Sequence, residues 1–177
     1  MILIIKYVLV LILLVVVLYT DTKSYVIKNS IILFFAIAGF TLNCIQLGFT
    51  GVINWTTGIT VPIIVLFILF ALRMLGAGDI KLIAVIGGLL GLDFLIRASL
   101  YMLIIAGGIA LIKMIINRNL IIRFKHFFNY LHNNIINRQI GIYDELNKTD
   151  RSHVMRLSYA IGAGTIYQIF IDLKVFG

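Results

Sequence analysis

Long apolar runs alternate with short polar breaks along the whole chain. The runs fall at Ile2–Tyr19, Ser30–Leu47, Val52–Leu72, Ile80–Leu92, Phe94–Ile116 and Val154–Leu173. A run of about 19 residues, rising ~1.5 Å per residue as a helix, roughly matches the hydrocarbon core of a bilayer. The pattern therefore predicts an all-α, polytopic membrane protein with about six transmembrane helices. The fourth run is the shortest and is rich in glycine. The first is longer than the apolar core of a secretory signal, and no small-x-small cleavage site follows it, so it reads as a retained helix.

Composition strengthens this reading. The chain is 62% hydrophobic and only 12% charged, with a mean hydropathy of +1.10, against about 25% charged for an ordinary soluble domain. A soluble fold of 177 residues could not hide that much apolar surface, so the excess faces lipid. The net charge of +8 points to the positive-inside rule rather than to nucleic acid. With six spans, Lys23, Lys28, Arg73, Lys81, Lys113, Arg118, Arg123, Lys125, Arg138, Lys148, Arg151 and Arg156 fall on one side, and Lys6, Arg97 and Lys174 on the other. The richer side is expected to be cytoplasmic, with both termini outside. Cys44 is the single cysteine, which excludes an internal disulfide and a thiolate zinc site.

Residues 1–116 read as one membrane domain, residues 117–153 as a basic cytoplasmic connection, and residues 154–177 as the final helix of the same domain. Within the connection, Ile121, Phe124, Phe128, Leu131 and Ile135 step by three and four. That spacing predicts an amphipathic helix, lying on the inner membrane face or packed against the helix ends. His126, His132 and His153 lie in or beside this stretch without metal-ligand spacing and read as surface residues. Gly87, Gly88, Gly91, Gly107 and Gly108 are small residues suited to close helix approach, and Pro62 loosens the third helix without breaking it.

Of the seven acids, Asp144, Glu145 and Asp150 belong to the soluble connection, and Asp93 and Asp172 sit near the outer boundary. Asp21, immediately after the first apolar run, and Asp79, opening the fourth after Gly76-Ala77-Gly78, both fall at the cytoplasmic ends of helices. Two carboxylates in a partly dry site cannot both ionise cheaply; one keeps a proton and the pair titrates as a unit. Such a pair can activate water against a peptide bond without a covalent intermediate. Glycines beside Asp79 would allow positive φ and close approach of an extended substrate. An acid at a helix start is equally a common cap, and Gly-x-Gly a common turn.

Gly76-Ala77-Gly78-Asp79-Ile80-Lys81 resembles the Gly-x-Gly-Asp-x-Lys motif of the type IV prepilin leader peptidases. Asp21-Thr22-Lys23-Ser24-Tyr25-Val26-Ile27-Lys28-Asn29 is similar to that family's first aspartate segment, and Ser158-Tyr159-Ala160-Ile161-Gly162-Ala163-Gly164 to its final helix. Lys28 and Ser158 stand where the family usually has proline. The compact size is similar to the peptidases of Tad/Flp-type pili and to archaeal preflagellin peptidases. The resemblance implies an aspartic endopeptidase with Asp21 and Asp79 catalytic and Gly76, Gly78 and Lys81 in an active-site loop. It implies no cofactor and no metal, and as partner a prepilin-like or preflagellin-like precursor with a short basic leader, met at the bilayer. Lys81 lies about 200° around the helix from Asp79; it either snorkels to lipid phosphate or tunes the pair. Nothing here corresponds to the four-cysteine insertion of the larger, methylating members, so methylation is not implied. Three competing readings remain: a presenilin or signal-peptide-peptidase relative, which shares Gly-x-Gly-Asp but whose Tyr-Asp and Pro-Ala-Leu signatures are absent here; a small proton-coupled transporter using these acids as relays; and an assembly protein in which neither acid matters.

Overall fold

The computed structural model describes residues 2–24, 28–72, 75–116 and 157–176. Every regular element among them is an α-helix: α1 Ile2–Ser24, α2 Asn29–Leu47, α3 Phe49–Ala71, α4 Ala77–Leu90, α5 Leu92–Ile116 and α6 Leu157–Phe176. The expected amphipathic helix of the basic connection lies outside the described residues. The chain divides into two compact units, residues 1–106 with 156–177, and residues 107–155. Of the second unit, the described part is the last stretch of α5.

Among the described residues, four helices are long and apolar enough to cross a membrane: Ile2–Lys23, Asn29–Leu47, Phe49–Ala71 and Leu92–Lys113. The six expected spans thus exist as six helices, but two of them fall short of that standard. Helix α4 has only 14 residues, about 21 Å at ~1.5 Å per residue. Helix α6 carries Asp172 and Lys174 near its end.

The first unit is organised around α4. Ile80, Leu82 and every residue from Ala84 to Leu89 are buried, because α1, α2, α3 and α6 all pack against it. A helix that is apolar on all sides belongs at the centre of a bundle. In α1, Val10, Leu13, Leu14 and Val17 form one buried face at helical spacing, while Val8, Leu11, Ile12 and Val15 point outward. In lipid the outward residues cost nothing, so association rests on tight packing and interhelical hydrogen bonds rather than on escape from water.

Small residues supply that packing. A Cβ placed on Gly58 of α3 would lie 2.2 Å from the carbonyl oxygen of Gly87 of α4, so these two backbones touch. Gly164 likewise admits the backbone of Met102, within 2.5 Å of where a Cβ would sit. Gly107 and Gly108 do not follow suit: among the described residues nothing approaches either within 4 Å. Pro62 lies buried inside an unbroken α3, as expected.

Two helix junctions need only one residue each. Gly48 joins α2 to α3 with φ 56°, and Gly91 joins α4 to α5 with φ 92°. Their N–H groups close onto Cys44 and Gly87, a glycine cap of the left-handed type.

Near these turns the bundle carries a buried polar belt. Lys6 donates to Asn43 at 2.8 Å. Asn43 donates to the carbonyls of Gly39 and Gly88. Asp172 accepts from Tyr7 at 3.3 Å and from Gln168 at 2.8 Å, with Arg97 3.9 Å away.

Candidate active site

The opposite end of the bundle holds the residues singled out from the sequence. Tyr7 meets Asp172 at one end of the α1–α6 pair and Asp21 meets Ser158 at the other, so these helices run antiparallel. Asp21 and Asp79 share the second end.

Asp21 does not follow α1, as the apolar pattern suggested, but lies within its last turn, since the helix continues to Ser24. The apolar run stops there while the helix persists. Thr20 and Thr22 turn their hydroxyls back onto the carbonyls of Val17 and Tyr19, which keeps polar residues compatible with helical backbone. Lys23 shares this turn and is exposed.

Asp79 occupies the first turn of α4, with Gly76 as the N-cap. Gly76 has φ −76° and ψ 144°, ordinary extended backbone, so the expectation of positive φ in the Gly-x-Gly turn is not met. Gly78 is already helical. The glycine at 76 is explained by space: a Cβ there would lie 3.0 Å from the Asp79 carboxylate. The carboxylate folds back over the cap and takes a hydrogen bond from the Gly76 backbone, the reciprocal arrangement of a capping box.

Helix α4 is not one of the membrane-length helices, and Asp79 stands at its polar tip. Burial pushes the Asp79 carboxyl from its ordinary 3.8 up to about 6; the charge of Asp21 adds to the rise and the Gly76 hydrogen bond partly offsets it. The two acids therefore feel one another although helices α2 and α3 intervene in the chain.

Two contacts at this end were not foreseen. Ser158, in the first turn of α6 and 1% exposed, donates its hydroxyl to Asp21 Oδ2 at 2.5 Å. Lys81, expected to reach phosphate or the acid pair, donates instead to Asn29 Oδ1 at 2.8 Å. That bond ties the segment containing Asp79 to the start of α2. Among the described residues no group of three or more His, Cys, Asp or Glu side chains is arranged to hold a metal.

Comparison with known families gives one match: residues 8–112 fit the type IV leader peptidase family. Neither a curated protein nor a solved structure matches the chain. The matched stretch covers more than half of the 177 residues and includes both acids, the Gly76–Lys81 segment and helices α2 to α4 entire.

Proposed function

The chain belongs to the type IV leader peptidase family, and from that premise we propose that it is a membrane-embedded aspartic endopeptidase. It removes the short basic leader from a prepilin-like precursor at the cytoplasmic face, using Asp21 and Asp79 as the catalytic pair. The observation that carries this reading is the meeting of two carboxyls from distant helices, one of them raised to about 6 by burial and by the charge of the other. A pair sharing one proton is the machinery that direct hydrolysis needs.

In this mechanism the ionised carboxylate takes a proton from water as its oxygen attacks the scissile carbonyl carbon. The protonated carboxyl hydrogen-bonds the carbonyl oxygen and passes its proton to it, giving a neutral gem-diol. Collapse breaks the C–N bond. The carboxyl that took the water proton gives it to the departing nitrogen, while its partner recovers a proton from the diol. Water is consumed, the leader leaves as an acid, the mature chain as an amine, and the pair returns to its starting state.

The six helices are proposed as six passes, with residues 1–116 and 154–177 as the peptidase domain and residues 117–153 as its basic connection. Both termini are then outside. The antiparallel run of α1 and α6 supports both termini lying on one side, and the uneven division of Lys and Arg along the sequence supports that side being the outside. Asn29 holding Lys81 supports a role for Lys81 in fixing the Gly76–Lys81 segment rather than in touching the peptide. A precursor with its apolar helix in lipid and its leader in the cytoplasm would present the junction between them at the level of the two acids.

The test is cleavage of a tagged prepilin-type precursor in membranes by wild type, Asp21→Asn and Asp79→Asn. A shortened product with wild type, and none with either variant at equal protein level, is the expected result. Cleavage that survives both substitutions would remove the paired-acid mechanism.

A further inference from the structure

We propose that Ser158 is a positioning residue that holds Asp21 as the ionised member of the pair, which leaves Asp79 as the member that keeps the proton. The inference rests on the aspartic peptidase reading above and assigns the two carboxyls different tasks within it: Asp21 accepts the proton of the attacking water, and Asp79 hydrogen-bonds the scissile carbonyl.

The argument starts from the location of Asp21. A carboxylate in the last turn of a helix faces the partial negative charge of that helix's free carbonyls. Helix α6 offsets this, because it arrives antiparallel and brings Ser158 to the same point. From that turn Ser158 donates a hydroxyl hydrogen bond directly to Asp21 Oδ2. A hydroxyl donated to a carboxylate favours its charged form. Because Ser158 is 1% exposed, water does not compete for that proton.

Asp79 lies in the opposite circumstances. It is the acid whose environment is dominated by burial, and its one backbone donor, Gly76, does not outweigh that burial and the neighbouring charge. Among the described residues, the other titratable side chains on the elements packed around Asp21 include Lys23, Lys28, Lys81 and Tyr159. Lys81 of α4 is engaged with Asn29. Lys23 of α1, Lys28 at the head of α2 and Tyr159 of α6 are exposed. Ser158 is also where the chain departs from the proline of the family pattern.

The experiment measures kcat/KM for a tagged precursor across pH in nanodiscs, for wild type, Ser158→Ala and Ser158→Thr. Loss of the hydroxyl makes the ionised pair harder to form, so in Ser158→Ala the acidic limb should move up by about half a unit to one unit. Ser158→Thr keeps the donor and should hold the limb in place. A side chain that only fills space would lower the rate without moving the limb. An acidic limb unmoved in the alanine variant, or moved equally in both, overturns the proposal.

A second readout needs no change at Ser158. The protonated-carboxyl C=O stretch in the infrared spectrum at pH 5 should vanish in Asp79→Asn and persist in Asp21→Asn; the reverse pattern overturns the assignment. If Asp21→Asn and Asp79→Asn both abolish cleavage while the acidic limb of Ser158→Ala stays in place, this inference fails alone. If both still cleave, the parent reading fails with it.

Discussion

Replacing Asp79 by Asn is expected to stabilise the folded protein at neutral pH while removing its activity. The folded state holds this carboxyl at about 6 against an ordinary 3.8. Its stabilising contribution is therefore fully present below about 3.8 and is lost as pH rises through about 6. Above that range, the folded chain carries a charge in a half-dry place that the unfolded chain ionises freely. Multiplying the difference by ~1.4 kcal/mol per unit gives an upper bound of about 3 kcal/mol, reduced in practice because the carboxyl is only half-buried. Asparagine cannot ionise and can still accept the Gly76 hydrogen bond, so the variant escapes most of this cost. The assay is denaturant unfolding in nanodiscs, followed through Trp55. It is the single tryptophan, and its indole N–H is bonded to the Ala36 carbonyl across α2 and α3. The stability gained by Asp79→Asn should be near zero at pH 4, grow between pH 4 and 6, and level off above. Asp21→Asn should show a smaller gain over the same range, since it removes only the second cause of the shift. A difference that is flat across pH, or an Asn variant less stable than wild type at pH 8, would refute the account of a buried, charge-coupled carboxyl. Active-site groups that cost stability are a recognised consequence of function.

Two further outcomes follow from the packing. Gly58→Ala forces a Cβ to within 2.2 Å of the Gly87 carbonyl oxygen, and since backbone cannot swing aside, α3 and α4 must separate; the same unfolding assay should show a loss of about 2–3 kcal/mol. Gly107→Ala meets nothing among the described residues and should gain up to about 1 kcal/mol from helix propensity; equal stability of the two variants would contradict the helix contact. Asn43→Leu strands the buried Lys6 ammonium and should cost about 3 kcal/mol, more than Lys6→Met, with the double variant recovering part of the loss. Singles that simply add in the double would show that Lys6 and Asn43 do not act as a pair.

The apolar pattern located all six helices to within a few residues, because in a bilayer the length of an apolar run and the length of a helix have the same physical cause. It misjudged the end of α1, where those causes part: a threonine-rich turn can remain helical after it stops being apolar. The Gly-x-Gly segment was legible as a helix entrance beside an acid, but of the two reasons given for glycine, positive φ is not met at Gly76. Backbone conformation does not demand it at 76, where a Cβ would instead crowd the returning Asp79 carboxylate at 3.0 Å. Asp21 and Asp79 were singled out by position, as acids at helix ends, and the structure places them at the same end of the bundle. Their supports were not. Asn29 with Lys81 and Ser158 with Asp21 are joined across 52 and 137 residues of sequence, and no local spacing records such a meeting. The polar belt at the far end was hidden for the same reason.

The two ends of the bundle differ in how their polar groups are partnered. At the far end, Lys6, Asn43, Tyr7, Gln168 and Asp172 are bonded to one another or to backbone, and among the described residues no buried side-chain nitrogen or oxygen lacks a partner. Such groups knit helices together, since in lipid a polar side chain that finds a partner holds its helix in place. At the near end, two like charges are brought together instead, against electrostatics and at the polar tip of the most buried helix. Folding alone gives no reason to arrange two carboxyls so that one resists ionising. Each has its own donor, Ser158 for Asp21 and Gly76 for Asp79, which satisfies the oxygens without neutralising either acid. Under the proposed mechanism the pair would hold a single exchangeable proton as pH falls towards about 6, the state from which direct attack of water on a peptide bond starts.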